Sequence, residues 1–294
     1  MLLAIAFLFS LHQICVRKGT LRADTLTGTL VSIGTTAVLL SIISAFITSR
    51  IKINELFNFL EFAIFAGILH FMLARAVFYQ CISRVGANVA ATLATTRILF
   101  SAILGYFLLG ESVNAKTAVM ALMVFAGVAI LTFEVVSDLY GILAGITTGF
   151  LTALASVFAK ESMLTNFTAP ISEAVAGTAV GYVVALIFFY VFLKIYRGNV
   201  KFKIKDYTPF VAGGIFVGFG HFLRYLALFN YSVFTVETFV SVYPVFTYLL
   251  SGIFLRKSEV FSVRFFVSAI LIFTGVELYF SSVWSSVLLP RLFP

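Results

Sequence analysis

The sequence predicts an all-α integral membrane protein with about ten transmembrane helices, arranged as two inverted five-helix repeats. Three observations predict this fold class: the composition, the length of the apolar runs and an internal repeat. Of the 294 residues, 61% are hydrophobic and 11% are charged, and the mean hydropathy is +1.09. Soluble domains carry about 25% charged residues, so this chain has too little charge to cover a water-exposed surface.

The apolar runs define the predicted helices. A helix needs about 20 apolar residues to cross a hydrocarbon core of about 30 Å, and helices satisfy their own backbone groups where lipid cannot. The second run is typical, since no Asp, Glu, Lys or Arg occurs between Thr25 and Ser49. The sequence holds ten such runs, at residues 1–16, 26–48, 60–82, 87–109, 115–134, 139–159, 172–194, 209–229, 233–255 and 265–284.

An internal repeat relates the two halves of the chain. Glu111 and Glu259 lie 148 positions apart, and each is followed sixteen positions later by a glycine, Gly127 or Gly275. Further identities at the same offset fall in the third to fifth and eighth to tenth predicted helices. The sequence therefore predicts two five-helix domains, at 1–134 and 139–294.

An odd number of helices per half has a topological consequence. The second half must enter the membrane from the side opposite to the first, which produces an inverted repeat. Many secondary transporters are built in this way, with the substrate site near the membrane midplane between the halves. The duplication therefore favours transport.

The basic residues predict an orientation. The chain carries a net charge of +8, and most of its Lys and Arg lie in short connections, where they contact lipid headgroups rather than nucleic acid. Twelve lie on the side of the first, third, fifth, seventh and ninth connections, and five on the other side. The positive-inside rule then places the first side in the cytoplasm and both termini outside.

Several short motifs resemble a known family. In the first half they are Gly67–Tyr79, Val85–Ala87, Leu108–Glu111 and Phe125–Val128, and in the second half His221–Leu228, Tyr243–Pro244, Ser258–Glu259 and Phe273–Val276. Their order and spacing resemble the EamA-like domain of the drug/metabolite transporter superfamily, in two copies. The second copy departs from the family pattern at Arg256–Ser258, where apolar residues and Gly usually precede the Glu.

The resemblance implies a ten-helix carrier. Its central cavity would be lined by helices 1, 3, 4, 6, 8 and 9, with helices 5 and 10 behind. Members of the family move small metabolites, including amino acids. The family is usually described with cytoplasmic termini, which disagrees with the distribution of basic residues in the loops.

Ionisable residues at membrane depth are the candidate functional residues, because burying them in a bilayer costs about 2.5–3.5 kcal/mol each. Arginine holds a carboxylate or phosphate through two parallel hydrogen bonds and keeps its charge. The sequence therefore predicts a basic midplane cavity that binds an anionic solute. The candidate substrate-binding residues are Arg97, Arg75, Arg224, His221, Tyr79, Tyr225, Tyr243, His12 and Gln13.

A structural role competes with binding for some of these residues. Arg224 could form an internal ion pair with Glu237, and the histidines and Gln13 could form hydrogen bonds within the helix bundle. Glu237 and His221 are also candidates for proton coupling. Pro244 is expected to kink or break the ninth helix.

The function most consistent with these features is secondary active transport of a small metabolite, with an amino acid or organic anion favoured, by a multi-pass protein of the cell membrane. The expected partners are a small-molecule substrate and the lipid bilayer, with no nucleic acid, and the chain would act as a monomer or weak homodimer. No cofactor or metal is expected. The alternatives are an intramembrane enzyme, for which no catalytic motif is evident, or a membrane scaffold without transport activity.

Overall fold

The computed structural model describes residues 1–47, 61, 64–111, 115, 118–120, 122–123, 126–127, 130, 138–166, 170–198, 203–259 and 261–287. Within these residues the regular secondary structure is helical. The segments are α1 (Leu2–Thr20), α2 (Thr25–Ile47), a π-helical segment (Phe65–Ala74) that continues into α3 (Arg75–Ala94), α4 (Arg97–Leu109), α5 (Leu139–Asn166), α6 (Pro170–Arg197), a 3-10 turn (Ile204–Tyr207), α7 (Thr208–Asn230), α8 (Val233–Val240), α9 (Tyr243–Phe254) and α10 (Val263–Val287).

Seven stretches of the described chain are helical, long and apolar enough to cross a membrane. This confirms an α-helical membrane protein. The fifth predicted helix, at 115–134, lies largely outside the described residues, so the count of ten helices stays a prediction.

One stretch, Phe65–Leu109, is 45 residues long. A straight helix of that length would measure about 68 Å, more than twice the thickness of the hydrocarbon core. Gly86 interrupts it with φ +86° and ψ 168°, a conformation that glycine adopts readily because it lacks a Cβ. The interruption falls between the third and fourth predicted helices, where the sequence places a connection.

Two helices are interrupted at matching places in the two halves. α3 gives way to α4 at Thr95–Thr96, and α8 gives way to α9 at Ser241–Val242. Hydroxyl groups satisfy carbonyls at both breaks: Thr96 Oγ1 donates to Leu93 O at 2.8 Å, and Ser241 Oγ donates to Glu237 O at 2.7 Å. The expected break in the ninth helix is therefore present, with Pro244 in the first turn of α9. The break in the fourth helix was not predicted.

Glycines allow the helices to approach each other closely. A Cβ on Gly149 of α5 would lie 2.3 Å from Thr96 Oγ1, and one on Gly67 would lie 2.6 Å from the backbone oxygen of Gly181 in α6. Small residues at such contacts are typical of membrane helix packing. Through them, α5 packs against the break in the fourth helix, and α6 packs against the π-helical segment.

The halves are interleaved around one centre. α1 packs along α7, α3 packs along α5, and α2 packs along α6. Large apolar side chains such as Phe46, Phe107 and Ile195 are more than three-quarters exposed, as expected for groups that face lipid. The polar and charged groups described next lie inside this apolar shell.

Candidate functional site

A small cavity, with a volume of about 60 Å³, lies at the centre of the bundle. The lining residues are Phe9, His12 and Gln13 from α1, His70, Ala74, Arg75, Phe78 and Ala94 from the π-helical segment and α3, Arg97 from α4, Thr148 and Thr152 from α5, Val217 and His221 from α7, and Tyr243 from α9.

The lining therefore comes from the first, third, fourth, sixth, eighth and ninth predicted helices, the set that the resemblance implied. Six of the nine candidate binding residues are in it: Arg97, Arg75, His221, Tyr243, His12 and Gln13. The other three, Arg224, Tyr79 and Tyr225, have no exposed surface and pack behind the lining. Binding by any of the nine remains a prediction.

Arg97 is the first residue of α4, directly after the helix break. Its Nε lies 3.4 Å from Glu237 Oε2 and 3.3 Å from Ser241 Oγ, and its guanidinium stacks over the Tyr243 ring at 4.6 Å. Its Nη2 is buried and has no hydrogen-bond partner within the described part of the chain. Arg97 thus reaches a carboxylate of the other half and still has one free donor at the cavity.

Arg75 also lines the cavity and has a different environment. Its Nη2 donates to the Tyr182 hydroxyl, and its guanidinium lies 4.8 Å from the centre of the Tyr182 ring. Its Nη1 has no hydrogen-bond partner among the described residues, and no ion pair found among them includes Arg75. This guanidinium therefore brings an uncompensated positive charge to the cavity.

Arg224 forms the internal ion pair that was the alternative to substrate binding. It bonds to Glu237 through Nη2, and neither side chain has exposed surface. Ser156 Oγ lies 2.5 Å from Arg224 Nη2 and 3.1 Å from Glu237 Oε1, so it bridges the pair. One carboxylate, Glu237, therefore serves both Arg224 and Arg97.

His70 joins this network in a defined protonation state. Its Nδ1 lies 3.1 Å from Arg224 Nη1 and 2.9 Å from the Tyr225 hydroxyl. A guanidinium can only donate, so His70 Nδ1 accepts and carries no proton. The interaction holds His70 as the neutral tautomer protonated on Nε2.

His221 packs edge-on against His70, with ring centroids 4.5 Å apart. Its Nδ1 is buried without a hydrogen-bond partner among the described residues. Phe9 and Phe71 complete its surroundings, at 5.0 Å and 5.1 Å between ring centroids. His221 therefore offers a polar atom to the cavity from an otherwise aromatic wall.

His12 and Gln13 are oriented by the second half of the chain. His12 Nδ1 lies 3.0 Å from the carbonyl oxygen of Gly213, and because a carbonyl only accepts, His12 is protonated on Nδ1. Gln13 Oε1 accepts from Thr247 Oγ1 at 3.1 Å. Tyr79, behind them, shares a hydrogen bond of 2.7 Å with Ser32 Oγ.

The sequence did not indicate several residues of this site. Tyr182 holds Arg75 and stacks on Phe71 at 3.9 Å between ring centroids, and Ser156 bridges the buried ion pair. Thr148 and Thr152 line the cavity from α5. Hydroxyl residues are common in apolar helices, so none of these has a distinctive signal. The adjacent glycine, Gly181, was the available hint that the helix carrying Tyr182 packs closely.

Sequence and structure comparisons are consistent with each other. The profile of the EamA-like transporter family matches residues 1–133 and again residues 139–281. No curated protein matches the sequence significantly. A solved crystal structure, titled only as that of a protein, superposes with a TM-score of 0.69 at 17% sequence identity, covering 100% of this chain and 98% of the other. At that identity the likeness shows a shared fold.

Proposed function

Because the chain belongs to the EamA-like transporter family, we propose that this membrane protein is a secondary carrier for a small anionic metabolite, an organic anion or an amino acid, in the cell membrane. The observation that supports this most directly is the charge of the cavity. Arg75 and Arg97 both line it, each with one free Nη donor, and the described lining residues include no carboxylate.

The charge balance behind the lining strengthens the argument. Among the described residues, Glu237 is the one carboxylate that contacts these guanidinium groups: it pairs with Arg97 and Arg224, whereas Arg75 bonds only to the neutral Tyr182 hydroxyl. Buried charges without compensation are costly, so a bound anion would supply what the protein lacks. A carboxylate bridging Arg75 Nη1 and Arg97 Nη2 would satisfy both free donors through charge-assisted hydrogen bonds.

The helix breaks add a second attraction for anions. α4 begins at Arg97 and α9 begins at Tyr243, and both of these residues line the cavity. Helix N-termini carry partial positive charge, and at these two breaks the N–H groups of Ile98, Leu99 and Val245 bond to carbonyl oxygens of the breaks themselves. Discontinuous helices whose N-termini face an anionic group near the midplane are a recurrent feature of inverted-repeat carriers.

The mechanism we propose is alternating access, in which the two halves rock about the cavity. The substrate carboxylate would bind the two arginines, with the aromatic side chains of Phe9, Phe78 and Tyr243 around its remaining part. Gln13 and His221 would supply polar contacts. A monomer is sufficient, since both halves of one chain line the cavity.

Proton coupling through His221 or Glu237 is a further part of the proposal. Protonation of Glu237 would release both Arg97 and Arg224 from their shared carboxylate. His221 Nδ1 has no hydrogen-bond partner among the described residues, so it is the atom of His221 that would take up the coupling proton. Transport that does not respond to a pH gradient would remove this part and leave the carrier.

The test is uptake into proteoliposomes. Purified wild type, Arg97→Gln and Arg84→Gln would be compared with carboxylates, amino acids and phosphorylated metabolites, with and without a pH gradient. Arg84 is the matched control, since it forms a half-exposed pair with Asp138 away from the cavity. A hydrogen bond to a charged group contributes about 1.5–3 kcal/mol, so Arg97→Gln should lower uptake of the anion about 10- to 100-fold.

Three outcomes of this experiment would contradict the proposal. Uptake of an anion that is equal in Arg97→Gln and wild type would overturn the role of the basic cavity. Uptake restricted to neutral or cationic solutes would overturn the anionic substrate. Absence of transport for every class of solute would remove the carrier itself.

A further inference from the structure

At one end of the bundle, the carboxylate of Glu259 holds together segments from both halves. Its Oε1 accepts from the backbone N–H of Ala87 at 3.0 Å, and its Oε2 accepts from that of Asn88 at 3.0 Å. Arg17 Nε, at the end of α1, lies 2.9 Å from Oε1. The Glu259 side chain is only 1% exposed. We call this group, with Arg17, Ala87 and Asn88, the Glu259 clamp.

Arg17 extends the clamp to two more carbonyl groups of the first half and one of the second. Its Nη1 donates to the backbone oxygens of Ile82 and Ser83, both at 3.1 Å. Its Nη2 donates to that of Ser258 at 2.9 Å. The end of α1, the turn at Gly86 and the segment after α9 are thereby fixed to one another.

A corresponding group, the Glu111 clamp, is formed by Glu111, Val233 and Lys160. Glu111 follows α4, and its Oε1 accepts from the backbone N–H of Val233, the first residue of α8, at 3.0 Å. Lys160 of α5 lies 3.8 Å from the same oxygen and donates to the backbone oxygen of Tyr231 at 2.5 Å. Glu111 Oε2 has no hydrogen-bond partner among the described residues.

The two clamps lie at opposite ends of the cavity. The fourth helix runs from Ala87 to Leu109 and the ninth from Val233 to Phe254, each rising more than about 30 Å. The Glu259 clamp joins the start of the fourth to the end of the ninth, and the Glu111 clamp joins the start of the ninth to the end of the fourth. The cavity residues Arg97 and Tyr243 lie between them.

Ordinary helix caps come from the residues just before the helix. α2 has such a cap, since Asp24 accepts from the N–H of Thr27 at 2.8 Å, and Ser232 caps α8 through the N–H of Thr235 at 3.1 Å. The clamps differ because the glutamate comes from the other half and binds a cation from a third helix, α1 or α5. Those two helices also line the cavity, so each clamp joins elements that must separate if the cavity opens at that end.

We propose that the Glu259 and Glu111 clamps are the two gates of the carrier, one at each face of the membrane, and that they open in alternation. This rests on the proposed function and adds the residues that control access. Both clamps are formed in this structure, but they differ in strength: within the described part of the chain, Glu259 has two backbone donors and a close arginine, whereas Glu111 has one backbone donor and a more distant lysine. The Glu259 end is therefore the more firmly held of the two.

The test measures access to the cavity from each face, without any substrate. In a Cys15→Ala/Cys81→Ala background, Thr152→Cys places one thiol in the cavity lining. A membrane-impermeant thiol reagent is then applied to one face or the other of proteoliposomes. A separate variant with Arg84→Cys, a half-exposed position beside the Gly86 turn, reports which face the Glu259 clamp occupies. Glu259→Gln and Glu111→Gln are the gate variants, and Asp24→Asn is the control.

Glu259→Gln should raise labelling from its own face about tenfold, because it removes a charged acceptor from two N–H groups and Arg17. Labelling from the opposite face should fall at the same time. Glu111→Gln should do the reverse by a smaller factor, about threefold. Asp24→Asn removes an acid that caps α2 and pairs with Arg197 at the same end as Arg17, and it should change neither rate.

Equal changes at both faces, or none, in protein with an unaltered thermal midpoint would overturn the gates. If Glu259→Gln does not fold, Arg17→Gln provides the same test with both backbone hydrogen bonds kept, and its labelling should shift in the same direction. The result is separable from the proposed function. Face-specific labelling without transport would support the gates and reject the anion carrier, whereas anion transport without face-specific labelling would do the opposite.

Discussion

Replacing Glu237 by Gln tests the charge balance on which the proposed site depends. The change removes the only carboxylate among the described residues that contacts Arg224 and Arg97, and Arg224 has no exposed side-chain surface. Removing one partner of a buried ion pair costs about 3–5 kcal/mol. For a chain of this length, about 2 °C of melting temperature corresponds to 1 kcal/mol. The expected fall in the unfolding midpoint is therefore about 6–10 °C.

The assay is thermal unfolding in detergent, followed by intrinsic fluorescence. Asp138→Asn is the control, since it removes an exposed pair with Arg84 and should leave the midpoint nearly unchanged. The double variant Arg224→Gln/Glu237→Gln should be more stable than Glu237→Gln, because one uncompensated charge is then absent. A midpoint for Glu237→Gln within about 2 °C of wild type, or a double variant less stable than the single one, would refute the reasoning.

Three further changes have expected outcomes. Gly86→Ala should lower stability by about 1–3 kcal/mol in the same assay, because φ is +86° and a Cβ would lie 2.7 Å from a Glu259 oxygen. Gly67→Ala should lower the midpoint by several degrees, since its Cβ would meet the Gly181 backbone oxygen at 2.6 Å. Burial raises the pKa of Asp24, but its hydrogen bonds to Arg197 and Thr27 lower it by more, so the net pKa is below the usual value. The stability that Asp24 contributes is therefore present at neutral pH and is lost as the pH falls through this lowered pKa.

Each of these predictions has its own check. Gly252→Ala is the control for Gly67→Ala, because its nearest neighbour would be 3.9 Å away, and equal effects would reject the packing argument. If Gly86→Ala unfolded at the same midpoint as wild type, the turn would tolerate a Cβ at this position and the prediction would be wrong. Asp24→Asn should show a smaller acid-induced loss of stability than wild type, by about 1 kcal/mol at most, since its pair is over a third exposed. If Asp24→Asn and wild type lost the same stability on acidification, the contribution of the Asp24 carboxylate would be contradicted.

The fold class was predictable because its main signal is local. A charge-free run such as Thr25–Ser49 needs no knowledge of its neighbours to be placed in a bilayer. The repeat between the halves was also visible, since Glu111 and Glu259 are each followed sixteen positions later by a glycine. The break at Thr95–Thr96 was not predictable in the same way. It contains no proline, and it depends on Gly149 of a distant helix approaching the backbone closely.

The site was predictable in its residue types but not in its pairings. Arg97, Arg75 and Arg224 all stand out in sequence, since each is a basic residue deep in an apolar run. Their environments differ because of partners far away in the chain, such as Tyr182, 107 positions from Arg75. The ion pair between Arg224 and Glu237 spans only 13 positions, and it was the one pairing that the sequence suggested.

The reciprocal arrangement of Glu111 and Glu259 also bears on how the chain is assembled. Each half carries the acceptor that completes a helix of the other half, so neither contains a full set of partners for its own first-turn N–H groups. Two copies of one EamA-like unit, as the two family matches indicate, would have met this need mutually. Fragments separated at the connection between the halves should consequently be stable only when they are produced together.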